Sequence, residues 1–364
     1  MRHLPSVMAV CVSALLLTSC GVGSSNTAVS PKKGDDITLG LLLPDRDTSR
    51  FDKFDYPLIK KEVAALTHGK GKVSYSNAGA SAKRQSEQFQ QMVSDGVDVI
   101  LVDAVDAEAI EPDVQKAKDA GIPVIAYDRL ARGPIDAYVS HDNELVGEVQ
   151  GRAIVEALGD KAETSKVVMM NGSPADPNTA LFKKGALSEL NGKVVIAKEY
   201  DTREWLPSVA KANMKKAIAS IGLNNIAAVY SANDDMAGAV LDELKEAGAT
   251  KTLPVTGQDA SLAAVQRVVA GEQYMTVYKS FLLEATNAAQ IAVYKVQGRD
   301  LQFDALIRDK VDSPTQDDIP SLLVPVVALT KDNIRQTVVK DGVYTVQQIC
   351  TAAYAADCAA IGLK

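Results

Sequence analysis

Short, almost wholly apolar runs alternate with amphipathic stretches along most of this chain. The runs fall at residues 37–43, 98–102, 122–127, 166–170, 194–197, 226–230 and 253–256. Runs of that length, with no polar alternation, suit strands covered on both faces, as in a parallel sheet. The segments between them are long enough for helices. In residues 235–247, for example, Ala237, Val240, Leu241 and Leu244 recur at helical spacing, and Gly248 stands where a C-terminal stop belongs. Strand alternating with helix predicts an α/β fold of parallel sheets flanked by helices.

One pattern occurs twice. Residues 99–102 (VILV) lead through a helical stretch to Asp119-Ala120-Gly121 and then to residues 122–128 (IPVIAYD). Residues 227–230 (AAVY) lead through Asn233, Asp234 and Asp235 to Glu246-Ala247-Gly248, and then to residues 253–259 (LPVTGQD). Each copy reads as strand, helix, strand, and each second strand finishes on an aspartate. Two such halves predict two lobes on one plan. The chain from Ile37 onward is also long for one core, since single cores stop growing beyond ~250–300 residues. Ligands of open parallel sheets bind beyond the carboxyl ends of the strands, where Asp128, Asn233 and Asp259 lie.

The N-terminus breaks the pattern. Arg2 and His3 precede an apolar stretch at residues 7–17, interrupted only by Ser13. A membrane span needs about 20 apolar residues, so this stretch has the length of a signal-peptide core instead. It ends in Leu17-Thr18-Ser19-Cys20, which resembles a bacterial lipobox. Residues 1–19 are therefore expected to be a removed signal and Cys20 a lipidated first residue. Residues 20–36 hold Gly, Ser, Asn, Thr, Pro and Lys and read as a flexible tether.

Charge and cysteines narrow the chemistry. A formal net charge of −7 without a basic cluster leaves no footprint for nucleic acid. With Cys11 in the signal and Cys20 lipidated, Cys350 and Cys358 remain, and outside the cytoplasm two such cysteines usually pair. In a continuous helix their Cα atoms would stand ~12 Å apart, beyond the ~7 Å a disulfide spans, so pairing requires a turn between them.

No GxxxxGK[ST] loop, GxGxxG after a strand, GxSxG or CxxC occurs, and His68 and His141 are the only histidines beyond the signal. Phosphate loops, zinc and Cys–His catalysis are thus poorly supported, and no metal or cofactor is expected. Paired carboxylates for glycoside hydrolysis stay open, because such pairs come from distant loops. What remains is a set of polar groups at strand ends with aromatics nearby. Asp128, Arg129, Asn233, Asp259 and Lys279 would supply hydrogen-bond donors and acceptors for sugar hydroxyls, and Phe51 and Trp205 an apolar face. Each has a plainer reading: Asn233 or Asp234 as a helix cap, Asp128-Arg129 as a surface turn, Trp205 as ordinary core.

Longer segments carry a resemblance. Residues 126–130 (AYDRL), 140–143 (SHDN), 171–178 (NGSPADPN), 231–234 (SAND), 256–260 (TGQDA) and 271–279 (GEQYMTVYK) are similar to signature segments of periplasmic sugar-binding proteins of the type I fold. The likeness runs from Ile37 to about Val346 and lies toward the xylose-binding and multiple-sugar-binding branches. It implies two α/β lobes joined by three hinge crossings, placed near Ser140, Lys279 and Asp304. The first lobe would comprise residues 37–140 with 279–304, the second 141–278 with 305–346, and residues 347–364 a tail without counterpart. It also implies the ligand set Arg50, Phe51, Asp128, Arg129, Asn178, Trp205, Asn233, Asp259 and Lys279. Phe51 stands where the family has tryptophan, and Asn171 and Pro177 depart from its GGSP…NN pattern.

The implied activity is capture of a monosaccharide, D-xylose first, for an ABC-type permease. The protein would be a non-enzymatic monomer held to the outer face of the membrane by lipid. A sugar-sensing lipoprotein presenting glucose- or galactose-type aldoses to a receptor would use the same fold, and an extracellular glycosidase would differ by turnover. A transcription regulator of this fold would carry a basic N-terminal helix-turn-helix, and this chain has a signal and a polar tether there.

Overall fold

The computed structural model describes residues 32–48 and 50–364, so the signal and lipidation expectations, Cys20 among them, lie outside the described residues. The described residues form twelve strands: β1 (Thr38–Leu43), β2 (Lys72–Asn77), β3 (Val99–Val102), β4 (Val124–Tyr127), β5 (Ala137–His141), β6 (Lys166–Asn171), β7 (Val195–Asp201), β8 (Ile226–Ser231), β9 (Thr276–Lys279), β10 (Asp309–Ser313), β11 (Gln316–Val324) and β12 (Val326–Leu329). The first sheet has the order β10-β11-β5-β4-β3-β1-β2 and is parallel except for the β10–β11 hairpin.

In β3 and β4 every residue is buried, which is why these strands read as unbroken apolar runs. Successive side chains point to opposite faces. Leu39, Leu41, Val99 and Leu101 accordingly share one core with helix Phe281–Gln297. Leu42, Ile100 and Val102 share the other with Phe89 and Val114, from helices Ala82–Ser94 and Glu111–Asp119.

The second sheet has β7-β6-β8 at its centre, all parallel. Parallel bridges at Val229–Val255 and Gln258–Val277 continue it to β9, which pairs antiparallel with β12. Helix Asn143–Leu158 packs on helix Pro177–Leu190 at very short range, because Gly147 and Gly185 face each other's helix. A Cβ on Gly147 would run into the backbone of Phe182, and one on Gly185 into that of Glu144.

The chain passes between the sheets after β5, after β9, and at Pro325 between β11 and β12. The third passage is not near Asp304, and residues 309–324 belong to the first sheet, not the second lobe. The hairpin escapes a hydrophobicity reading because β10 and the first half of β11 are polar and at least partly exposed at most positions. They are nonetheless fixed by the parallel register of β11 on β5, Ser321 opposite Tyr138 through Val324 opposite His141. The C-terminal stretch is no loose tail either. Ile349, Cys358 and Leu363 are buried with Val265, Val268 and Val269 of helix Leu262–Ala270. A disulfide joins Cys350 to Cys358 at a Cα separation of 5.9 Å, with a turn between them.

Candidate functional site

The two aspartates of the repeated pattern occupy matching positions. Asp128 follows β4 and its amide donates to Val139 O of β5 at 2.9 Å; Asp259 donates to Val277 O of β9 at 2.9 Å. Each adds one hydrogen bond to a ladder and then leaves it with a left-handed backbone, φ 57° at Asp128 and 90° at Asp259. Aspartate is among the few non-glycine residues that tolerate this conformation, which turns the chain sharply at the strand end. The Asp128 carbonyl is held by Tyr138 Oη, Ser140 Oγ and Asn178 Nδ2 at 2.9, 2.7 and 3.0 Å. Asn178 comes from the second lobe, so this bond also ties the lobes together.

Between the strand ends lies a small, nearly filled cavity. The structure brings Arg50, Phe51, Asp128, Arg129, Asn178, Trp205, Asn233, Asp259 and Lys279 around it, along with Thr48, Asp176, Phe182 and Gln258. The last four were not singled out in the sequence. Signals existed for three of them: Asp176 sits inside the 171–178 segment, Phe182 one helical turn beyond Asn178, and Gln258 beside Asp259.

The first-lobe wall is ionic. Arg50 is buried and pairs with Asp55 and Asp128, each at 2.9 Å, and with Glu284. Arg129 pairs with Asp176 of the second lobe at 2.7 Å and lies 3.5 Å from Asp103 and 3.6 Å from Asp45. The Phe51 ring has both guanidiniums near its face, at 5.4 and 5.9 Å. Burial pushes the Asp128 carboxyl up, but Arg50, Lys279 and Arg129 together outweigh it and hold the group below the usual carboxylate range. At neutral pH Asp128 is therefore an ionised acceptor and not a proton donor. Asp55, by contrast, is pushed up to about 7 by burial despite Arg50, which it shares with two other carboxylates.

The second-lobe wall supplies the complementary groups. Lys279 Nζ lies 3.0 Å from Asp259 Oδ1, and the pull of Asp259 and Asp128 on the ammonium overcomes its desolvation to raise its pKa. Asn233 has the cap role as well as a place on the cavity: its Oδ1 accepts from Met236 N at 3.0 Å, which leaves the amide nitrogen outside the cap. Asn178 Oδ1 and Gln258 Oε1 are buried without a hydrogen-bond partner among the described residues. Trp205 is 8 % exposed, donates from Nε1 to Asp176 Oδ2 at 3.0 Å, and meets Phe182 edge to face at 6.2 Å. Gly172 is what admits the indole, since a Cβ there would overlap its ring.

Charged acceptors, charged donors, amides and aromatic faces thus converge on one small space from both lobes. Among the described residues no group of His, Cys, Asp or Glu is placed to hold a metal ion, and no helix is long and apolar enough to cross a membrane. The arrangement suits a neutral polyhydroxylated ligand with apolar faces, bound without chemistry.

Comparison with known proteins agrees. The family described as periplasmic binding protein domain matches residues 39–300. The chain is 33 % identical over 338 residues to the D-xylose-binding periplasmic protein of Escherichia coli (strain K12), covering 91 % of this chain and 97 % of that one. It is 30 % identical over 358 residues to the multiple sugar-binding periplasmic receptor of Rhizobium radiobacter, covering 92 % and 98 %. Among solved structures, an ABC transporter solute-binding protein from Clostridium phytofermentans with bound β-D-glucose superimposes with a TM-score of 0.77. It shares 26 % identity and covers 86 % of this chain and 99 % of its own. These relatives are binding proteins and not enzymes. The chain belongs to the periplasmic binding protein family, in its type I, two-lobed form, and groups there with sugar-binding receptors.

Proposed function

We propose that this protein is the substrate-binding component of an ABC-type sugar importer, enclosing one aldopyranose, D-xylose first, between its lobes. The observation that carries this reading is the convergence from both lobes of charged acceptors, charged donors, amides and aromatic faces on one small cavity, the kind of lining that fixes a small ligand's orientation. Asp128 and Asp259 would accept from ring hydroxyls, Arg129 and Lys279 would donate, Asn178 and Asn233 would complete the set, and Phe51 and Trp205 would cover the C–H faces. A ligand gripped from both lobes favours the closed form, the usual logic of hinge closure in such receptors. The choice of xylose rests on the relatives. The glucose-bound neighbour keeps hexoses in the same comparison.

A thermal-shift panel of aldopentoses and aldohexoses, followed by calorimetry, tests it. A ligand at 100 times its Kd stabilises the fold by about 2.7 kcal/mol. D-Xylose should raise the melting temperature most, and a panel in which no aldose shifts it would overturn the reading. Export and anchoring through Cys20 belong to the same proposal. Intact-mass analysis of membrane-extracted protein should show a chain starting at a diacylated Cys20, and an unmodified start elsewhere would refute that part.

A further inference from the structure

A second space, of about 290 Å³, lies directly beside the first and is lined by Pro44, Asp45, Val105, Ser173, Arg203 and their neighbours. Arg129, Asp176 and Trp205 line both spaces. We infer that these three side chains form a partition that limits the ligand to one sugar ring, and that the outer space is a subsite able to hold a second, glycosidically linked ring once the partition is shortened. The inference rests on the sugar-binding reading above and adds to it what sets ligand length.

The partition is a built wall. Asp176 is 4 % exposed, and its Oδ2 accepts from Trp205 Nε1 at 3.0 Å and forms an ion pair with Arg129 Nε at 2.7 Å. Its Oδ1 accepts from Asn178 N at 2.9 Å and so caps helix Pro177–Leu190, which fixes the carboxylate in place. Arg129 is held from behind by Ala104 O at 3.2 Å and by Asp103 and Asp45. Trp205 and Glu204 have left-handed backbones, φ 58° and 56°, a strained turn that sets the indole against Asp176.

Arg129 belongs to the first lobe and the other two to the second, so the wall is complete only when the lobes close. A ring linked through a glycosidic oxygen to a sugar in the inner space would have to occupy the position of the Asp176 carboxylate. Closure and a longer ligand would then exclude each other. The outer space is furnished for a pyranose, with Arg203, Glu204 and Asp45 as polar partners and Pro44 and Pro174 as apolar surface.

Three variants separate wall from charge. Asp176→Asn keeps the size and the helix cap but removes the charge. Asp176→Ser keeps a good cap and shortens the side chain, and Asp176→Gly shortens it further at little cost to the cap. Calorimetry would use D-xylose with β-1,4-xylobiose, and D-glucose with cellobiose, after melting curves confirm that each variant folds. The wild type should prefer the monosaccharide at least 100-fold. Asp176→Asn should keep that preference even where overall affinity falls. Asp176→Ser or Asp176→Gly should bind the disaccharide at least tenfold more tightly than the wild type does. A wild type that takes the disaccharide as well as the monosaccharide overturns the partition, and so do folded Ser and Gly variants without that gain. Failure of every protein to bind any aldose would instead remove the sugar reading itself.

Discussion

Replacing Asp259 by asparagine removes one charge from the cavity and leaves the side chain's shape. Alanine would be a poorer probe. The backbone here has φ 90°, where asparagine is tolerated and alanine adds strain of about 1–2 kcal/mol. In the wild type Asp259 Oδ1 sits 3.0 Å from Lys279 Nζ, with Lys279 only 4 % exposed, so the pair presents a charged acceptor and a charged donor to the same ligand. Hydrogen bonds to charged groups contribute about 1.5–3 kcal/mol, roughly twice the neutral value. Exchanging one for the other should cost about 1–2 kcal/mol, which is about 5- to 30-fold in Kd.

Free protein should melt within about 1 kcal/mol of the wild type, because asparagine keeps the side chain's shape and the proposed opening of the hinge returns both groups to water, where ion pairs contribute little. Lys279→Met should weaken binding more, since it strands Asp259 without its cation. The double variant should recover part of that loss, a coupling expected of contacting residues. Titration calorimetry with the best aldose of the panel is the assay. An Asp259→Asn protein within twofold of wild-type affinity would refute the assignment of Asp259 to the ligand.

The disulfide closes a short loop, so Cys350→Ser with Cys358→Ser should lower stability by about 2–3 kcal/mol; peptide mapping that finds two alkylatable thiols in exported protein would refute the pairing. Asp55, pushed up to about 7 in the fold, keeps a proton that the unfolded chain loses near pH 4. Its contribution therefore declines as pH rises from about 4 to 7. Asp55→Asn should gain stability relative to wild type across pH 5 to 8, on the order of 3 kcal/mol in all, and a relative loss in melting curves would contradict the cause given. Gly147→Ala should force apart the helices that meet there, at a cost of about 1–3 kcal/mol. Because one of them carries Asn178 and Phe182 to the cavity, sugar affinity should fall as well, and unchanged melting and affinity would show that the contact is slack.

Local sequence was enough to locate β1, β3, β4, β6 and β8, because both faces of these strands are buried and nearly all their positions are under the same apolar demand. It was not enough for β2 or for the β10–β11 hairpin, which lie at the two ends of the first sheet with residues such as Lys72, Lys310 and Asp317 turned toward water. Such strands are specified by their hydrogen-bonded partner, and no local pattern names that partner. The third passage between lobes was misplaced for this reason.

Asp128 and Asp259 were visible as strand endings within a repeated unit, the signature segments carried Arg129, Asn178, Asn233 and Lys279, and Arg50, Phe51 and Trp205 followed only from the wider resemblance. Only the tertiary structure decided that these residues surround one space, that three carboxylates share Arg50, and that Asp176 joins the wall through Arg129 and Trp205. Hydrophobic periodicity records whether a residue is buried, a property of its own position. Which charges meet in that burial depends on pairs separated by tens to hundreds of residues, Arg50 with Glu284 among them, and folding alone brings those together.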